Sequence, residues 1–381
     1  MEKRLKEQKY LIDLLKAAIN GGQAAACPND IDFDHLTKYA EEHGVEGTAY
    51  MGLLNSEGVP EAVLDVFAEK YKKGIVREYL QHSEGVRIFS QLEKNGVDFI
   101  MLKGWIMKKL YPQPAMRSMC DIDILIKKKD SETVKGIMDA LGYTSVKYGT
   151  NPDIYLKAPI MNIEVHNALI RDKTDHFDTT WERVLPVKGF SHSYAMTNED
   201  FYIFMIAHLW KHFVGSGTGI RSILDIYVYL KHYKDSLDNE YINKKLTDSG
   251  IADFDGAVRE LCMYWFGDGE LTERAAELEP EILESAVYGN KETAARNYIK
   301  STISNESGKV TAVNKFLYIL KLMFPGLSVM EKSYPWLRKV PFLIPFMWIV
   351  RGVKSAFSRS GTVKKDISNV VNADKNAKRK K

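Results

Sequence analysis

RSMCDIDILI, residues 117–126, reads as an apolar strand that carries two aspartates separated by one residue. Successive side chains of a strand point to opposite faces. Ile122, Ile124 and Ile126 therefore share one face, and Asp121 and Asp123 share the other. The isoleucines have the pattern of a core face. The aspartates stand about 7 Å apart by the rise per residue of a strand. Like charges held that close repel unless a cation or hydrogen-bond donors sit between them. A divalent metal is one resolution, although a bare Asp-x-Asp also suits a surface or structural pair.

The flanking sequence builds an α/β or α+β unit of about 90 residues around this strand. Asn95-Gly96 is a turn signal, and VDFIML (97–102) reads as a strand. LKG (102–104) ends that strand and opens a helix, WIMKKLY, which leads into a loop with two prolines. After the aspartate strand a helix is expected from about Asp130 to Leu141, stopped by Gly142. YTSVKY, DIYLKAP and MNIEVH (161–166) read as further strands, the last with Asn162, Glu164 and His166 on one face.

Glu164 is the third carboxylate. Neighbouring strands lie about 5 Å apart, so Asp121, Asp123 and Glu164 can meet around one site. Hard oxygen clusters of this kind suit Mg²⁺, with Mn²⁺ as its close substitute. Two such ions clamp the attacking and leaving oxygens of a phosphoryl displacement, and a third carboxylate can receive the acceptor's proton. Gly104 lets backbone approach a ligand, and N–H groups at a helix N-terminus attract phosphate.

In this order of parts, VDFIMLKGWIMKKLYPQPAMRSMCDIDILI resembles the core of the polymerase-β-type nucleotidyltransferase superfamily. It is most similar to a group of uncharacterised bacterial nucleotidyltransferases. The resemblance covers residues 97–166 closely and extends loosely through the helical region to about 230. It implies that Asp121 and Asp123 bind the metals, that Glu164 is the third ligand and base, and that Gly104 lies against the triphosphate. Trp105 stands where the superfamily usually has Gly or Ser, so the phosphate grip would rest on backbone amides with Lys103 or Arg117. The resemblance also implies that the helical segment HLWKHF…GIRSILD supplies Lys211, Arg221 and Asp225 to the nucleotide or acceptor.

Several of these residues have plainer readings. Arg117 can pair with triphosphate oxygens, or it and Ser118 can be ordinary loop residues, with Ser118 capping a turn. His166 can bond the carboxylate or a phosphate, or be a satisfied structural histidine. His208 and His212 are i, i+4 neighbours on a helix, yet they lack the Glu and third ligand of a zinc hydrolase motif. Arg221 and Asp225 are also i, i+4, which suits a helix ion pair.

The 381 residues, 45% hydrophobic and 27% charged, have ordinary globular composition. The net charge of +3 is unevenly spread. Residues 351–381 carry ten Lys/Arg against two Asp/Glu, which leaves the body mildly acidic. No specific nucleic-acid signature follows. Cys27, Cys120 and Cys262 are odd in number and widely spaced, which argues against a disulfide framework or zinc site and for a reducing compartment. MEKRLKEQKYLIDLLKAAIN reads as an amphipathic helix rather than a signal peptide. No apolar run reaches the ~20 residues of a membrane span, so a cytoplasmic protein is expected.

The expected fold is α+β. A small mixed-sheet core (96–196) is framed by an N-terminal helical region (1–95) and a larger helical domain (197–322). An aromatic and basic segment (323–381) follows. Its Trp336, Phe342, Phe346, Trp348 and Phe357 suit a peripheral contact with the inner membrane face, or a buried terminal helix pair with a disordered basic tail. The expected activity is Mg²⁺-dependent transfer of a nucleoside monophosphate from an NTP to an unknown acceptor, with release of pyrophosphate. A metal-dependent glycosyltransferase, which also uses Asp-x-Asp, and a non-catalytic binding protein of nucleotidyltransferase fold are the alternatives.

Overall fold

The computed structural model describes residues 2–169, 180–286, 324, 326–330, 334–338 and 340–350. Four helices come first: α1 (Glu2–Asn20), α2 (Phe33–Glu42), α3 (Glu46–Leu53) and α4 (Glu61–Lys94). The sheet region follows with β1 (Phe99–Met101), α5 (Lys103–Met107), β2 (Ile122–Ile126), α6 (Ser131–Ala140), β3 (Thr144–Lys147), β4 (Asp153–Lys157), β5 (Met161–His166), β6 (Leu185–Pro186) and β7 (Ser193–Ala195). Then come α7 (Asn198–Val214), α8 (Ile220–Tyr233), α9 (Asn239–Asp248), α10 (Ala252–Phe266) and α11 (Glu273–Glu284). The fold is α+β, as the sequence texture indicates.

Seven strands form one sheet in the order β3-β4-β5-β2-β1-β7-β6. β2 pairs parallel with β5, and β1 parallel with β7. β1/β2, β3/β4, β4/β5 and β6/β7 are antiparallel. The isoleucine face of β2 is the core face: Ile122, Ile124 and Ile126 are at most 1% exposed. They pack with Ile88, Phe89 and Leu92 of α4 and with Val134, Ile137 and Met138 of α6. This apolar packing fixes the register that turns both aspartates to the opposite face.

Two local expectations change. The helix after β1 is only five residues long and tightens into a 3-10 turn over Lys108–Leu110. Tyr111 precedes Pro112 and is extended, because proline excludes the helical conformation from the residue before it. β6 and β7, two and three residues long, add to the expected strands; they are too short to show an alternating pattern. The expected stop of α6 holds, with Gly142 at φ 81°, and at the start of α7 Thr197 Oγ1 accepts from the Asp200 amide.

The described residues group into two units, one of those in 2–211 with 218–286 and one of 212–217 with the described residues of 324–350. This is coarser than the four parts expected: α1–α4, the sheet and α8–α11 belong to one unit. The part of α7 in this unit, up to Lys211, is apolar nearly all round, with Phe201 to Ala207 buried. In the second unit Met330, Leu337 and Met347 form a small core, with Trp348 packed against it. Trp348, expected either at a membrane surface or in a buried helix pair, is partly buried against this core, its ring 5.2 Å from that of Phe324. Trp336, Phe342, Phe346 and Ile349 remain 46%, 76%, 62% and 65% exposed. The helices expected over 287–322, and Phe357, lie outside the described residues. No helix among the described residues is long and apolar enough to cross a membrane.

Candidate active site

Strand register builds the site. Asp123 on β2 lies opposite Glu164 on β5, and Leu125 lies opposite His166. Along β5, Met161, Ile163 and Val165 are buried, while Asn162, Glu164 and His166 face the other way, partly open. His166 Nε2 donates to Asp123 Oδ1 at 3.0 Å and lies 3.9 Å from Glu164 Oε2. One donor atom from each of Asp123, Glu164 and His166 falls within 4.8 Å of the others.

The metal set expected from the sequence is Asp121, Asp123 and Glu164. The structure's tight trio has His166 in place of Asp121, because Asp121 sits one residue before β2 and outside the paired register. Asp121 nevertheless feels the cluster. Burial first, then the charges of Asp123 and Glu164, push its carboxyl up to about 6, against the pull of Arg221. Burial and Asp123 also raise Glu164, opposed by His166, Lys147 and Lys211. Three carboxylates thus repel one another at a partly dry spot, with one imidazole hydrogen-bonded to Asp123 and close to Glu164.

A second, positive centre forms around Asp225 of α8, which is fully buried. Arg117 holds it with both arms, Nε to Oδ1 at 2.8 Å and Nη2 to Oδ2 at 2.9 Å. Tyr111 donates its hydroxyl to Oδ1 at 2.9 Å, and Lys103 Nζ lies 3.3 Å from Oδ2. Burial alone would raise the Asp225 carboxyl; Arg117, Lys103 and Arg221 outweigh it and hold the group far below the usual carboxylate range. Burial also lowers the Lys103 ammonium, and Asp225 only partly restores it.

This arrangement redirects several expected binders. Arg117, expected at the triphosphate, spends its guanidinium on Asp225. The helix pair expected between Arg221 and Asp225 is replaced by that contact, and Arg221 Nη1 donates to the Ser118 carbonyl at 3.0 Å. Ser118 donates its own hydroxyl to the Gly44 carbonyl at 3.2 Å. Gly104 is buried where a Cβ would come 2.7 Å from Met119 Sδ, so the absent side chain makes room for methionine. Trp105 is turned into the core, stacked on His82 and edge-on to Phe89 of α4. Lys211 is exposed on α7, close enough to Glu164 to draw its carboxyl down. Among the described residues, His208 and His212 form no metal-ligating cluster. Tyr111 is the participant that sequence reasoning missed, since nothing local connects it to a residue 114 positions away.

Residues 29–267 match the family described as "Uncharacterised nucleotidyltransferase". The chain belongs to this family and so to the nucleotidyltransferases. No curated protein matches it. Among solved structures it is similar to the antibiotic-resistance factor ANT(2'')-Ia at 10% identity and a TM-score of 0.36, over 48% of this chain and 96% of that one.

Proposed function

We propose that this member of the nucleotidyltransferase family moves a nucleoside monophosphate from an NTP to an acceptor with Mg²⁺ or Mn²⁺, releasing pyrophosphate. The observation that carries the reading is the parallel register that sets Asp123 against Glu164, with Asp121, one residue before β2, close enough for their charges to raise its carboxyl. The donor set fits a hard divalent ion: carboxylate oxygens, mutually repelling and partly open to solvent. When bound, such ions neutralise the charge that develops on the transferring phosphoryl group.

The chain's own residues have distinct tasks in this reading. Asp121, Asp123 and Glu164 supply the ligand oxygens. His166 holds Asp123 in place by its Nε2 proton, and it can itself ligate only once that proton has left. Glu164, whose carboxyl burial raises, receives the acceptor's proton. Lys103 is the surplus cation on Asp225, which Arg117 and Tyr111 already satisfy, so Lys103 is the group that turns to the triphosphate. Arg117 and Asp225 form the rigid post that positions it. Arg221 lies between the two centres and lowers the acidic groups of both. Gly104 and Trp105 present backbone to the phosphates, with the indole held out of the way.

Manganese titration followed by electron paramagnetic resonance tests the metal part. With an NTP present, the wild type is expected to bind Mn²⁺, and Asp123→Asn and Glu164→Gln each to weaken binding at least tenfold. Unchanged binding in both variants would remove the carboxylates from the role.

The same reading places the protein at an anionic membrane surface. Trp336, Phe342, Phe346 and Ile349 are exposed, and residues 351–381 are strongly basic. Co-sedimentation with phosphatidylserine vesicles, falling with added salt and lost in Phe342→Ser/Phe346→Ser, is the expected result. Equal sedimentation with neutral vesicles, or none with either, would contradict it.

A further inference from the structure

A cavity of about 140 Å³, lined largely by charged residues, opens between α4, the start of α3 and the loop around Arg117–Met119. None of Asp121, Asp123, Glu164 and His166 lines it. α4 faces it with Lys70, Lys73, Arg77 and Gln81, spaced by three or four residues and so on one side of the helix. Its walls are fixed. Gln81 Nε2 donates to the Met119 carbonyl at 3.0 Å, and Thr48 Oγ1 to the Met116 carbonyl at 2.9 Å. α3 comes so close to the loop that a Cβ on Gly47 would sit 2.8 Å from the Ala115 carbonyl.

Two of the lining residues carry a buried side-chain atom that no described group hydrogen-bonds: Oε2 of Glu46 and Nζ of Lys108. Lys108 is only 2% exposed. Its ammonium stands 3.1 Å from Glu78 Oε1 without hydrogen-bond geometry, and 4.2 Å over the Trp105 ring. Burial pushes the Lys108 ammonium down and the Glu46 carboxyl up, as befits groups shut away from water. The interior thus offers an acceptor without a partner on Glu46 and, on Lys108, an ammonium ion-paired with Glu78 that has three protons to give and so donor capacity to spare. Buried polar groups almost always have partners, and a bound ligand is one way to supply them. At the mouth the balance is different. Lys70 is paired with Glu41 at 2.6 Å, but Lys73 and Arg77 make no hydrogen bond or ion pair among the described residues.

We propose that this cavity binds the phosphate monoester of a hydroxyl-bearing compound about one ring in size. Lys73 and Arg77 take the phosphate at the mouth, two cations against a dianion. The body enters the interior, where Lys108 donates to one of its oxygens and Glu46 accepts from a hydroxyl. The volume sets the size, since a cavity of about 150 Å³ holds a benzene ring. A helix face of solvated lysines would explain Lys73 and Arg77, but not the buried Glu46 oxygen without a partner in the same cavity. The site concerns binding alone and does not rest on the nucleotidyl-transfer reading.

Calorimetric titration of the full chain in EDTA tests this, with glucose 6-phosphate, glucose and inorganic phosphate as probes. Wild type is expected to bind glucose 6-phosphate saturably, and at least tenfold more tightly than inorganic phosphate or glucose. Lys73→Ala/Arg77→Ala, both surface changes, is expected to weaken it tenfold or more, and Glu46→Gln several-fold. Asp123→Asn is expected to leave it unchanged. No saturable binding, or binding indifferent to Lys73→Ala/Arg77→Ala, overturns the site. Inorganic phosphate bound as tightly as the ester overturns the ring-sized interior. A loss in Asp123→Asn equal to that in the double variant assigns the binding to the carboxylate cluster and overturns it as well.

Discussion

Asp121 and Asp225 are both enclosed carboxylates, and the fold treats them in opposite ways. The Asp121 carboxyl is raised to about 6, so its ionised form is disfavoured in the folded, metal-free protein. That cost is fully present above about pH 6 and disappears as pH falls toward the ordinary value of 3.8. Asp121→Asn is therefore expected to stabilise the metal-free protein at neutral pH, by up to about 3 kcal/mol. Thermal melts in EDTA at pH 7 and pH 5 check this, and the gain should shrink at the lower pH. Asp225 runs the other way. Its depressed pKa contributes stability above about pH 4, and that stability is lost only in strong acid. Asp225→Ala leaves Arg117 and Lys103 buried without their counter-charge and is expected to cost about 3–5 kcal/mol in urea unfolding. Asp123 and Glu164 were legible in the sequence because strand alternation is local. The bond between Arg117 and Asp225 spans 108 residues, and no local pattern announces it.

Two helix glycines differ in what surrounds them, one in a close helix–helix contact and one in open solvent. A Cβ on Gly52 of α3 would fall 2.2 Å from the Leu14 carbonyl of α1. The obstacle is backbone, which cannot swing aside, so Gly52→Ala is expected to cost about 3 kcal/mol or more. Gly136 of α6 is exposed, and a Cβ there would meet nothing within 4 Å. Gly136→Ala is expected to stabilise by about 0.5–1 kcal/mol through helix propensity. Chemical denaturation of the two variants side by side separates contact from propensity. α4 and α8 fall in stretches whose texture reads as helical, 1–95 and HLWKHF…GIRSILD. β6, β7 and the shortened α5 were not legible, because two to five residues carry too few positions to display a period.

The α+β architecture and the order of its parts follow from the alternation of strand and helix signals around residues 95–166. What does not follow is how the chain divides the labour between its two charged centres. Read from sequence, Arg117 goes to the triphosphate or is a loop residue, and Arg221 and Asp225 go to the nucleotide or acceptor or pair with each other along their helix. The structure instead joins Arg117 to Asp225 as one buried unit and leaves Lys103 as the cation in surplus. A positive centre beside a carboxylate cluster is complementary to a metal–triphosphate, whose two ends carry opposite needs.

Calorimetric titration of the four NTPs with Mg²⁺, on wild type and on Asp121→Asn/Asp123→Asn, tests that complementarity most directly. Binding of at least one NTP that requires the metal and is lost in the double variant is the predicted result, and it also names the base. Failure of every NTP to bind, or binding that neither Mg²⁺ nor the two aspartates affect, would contradict the account.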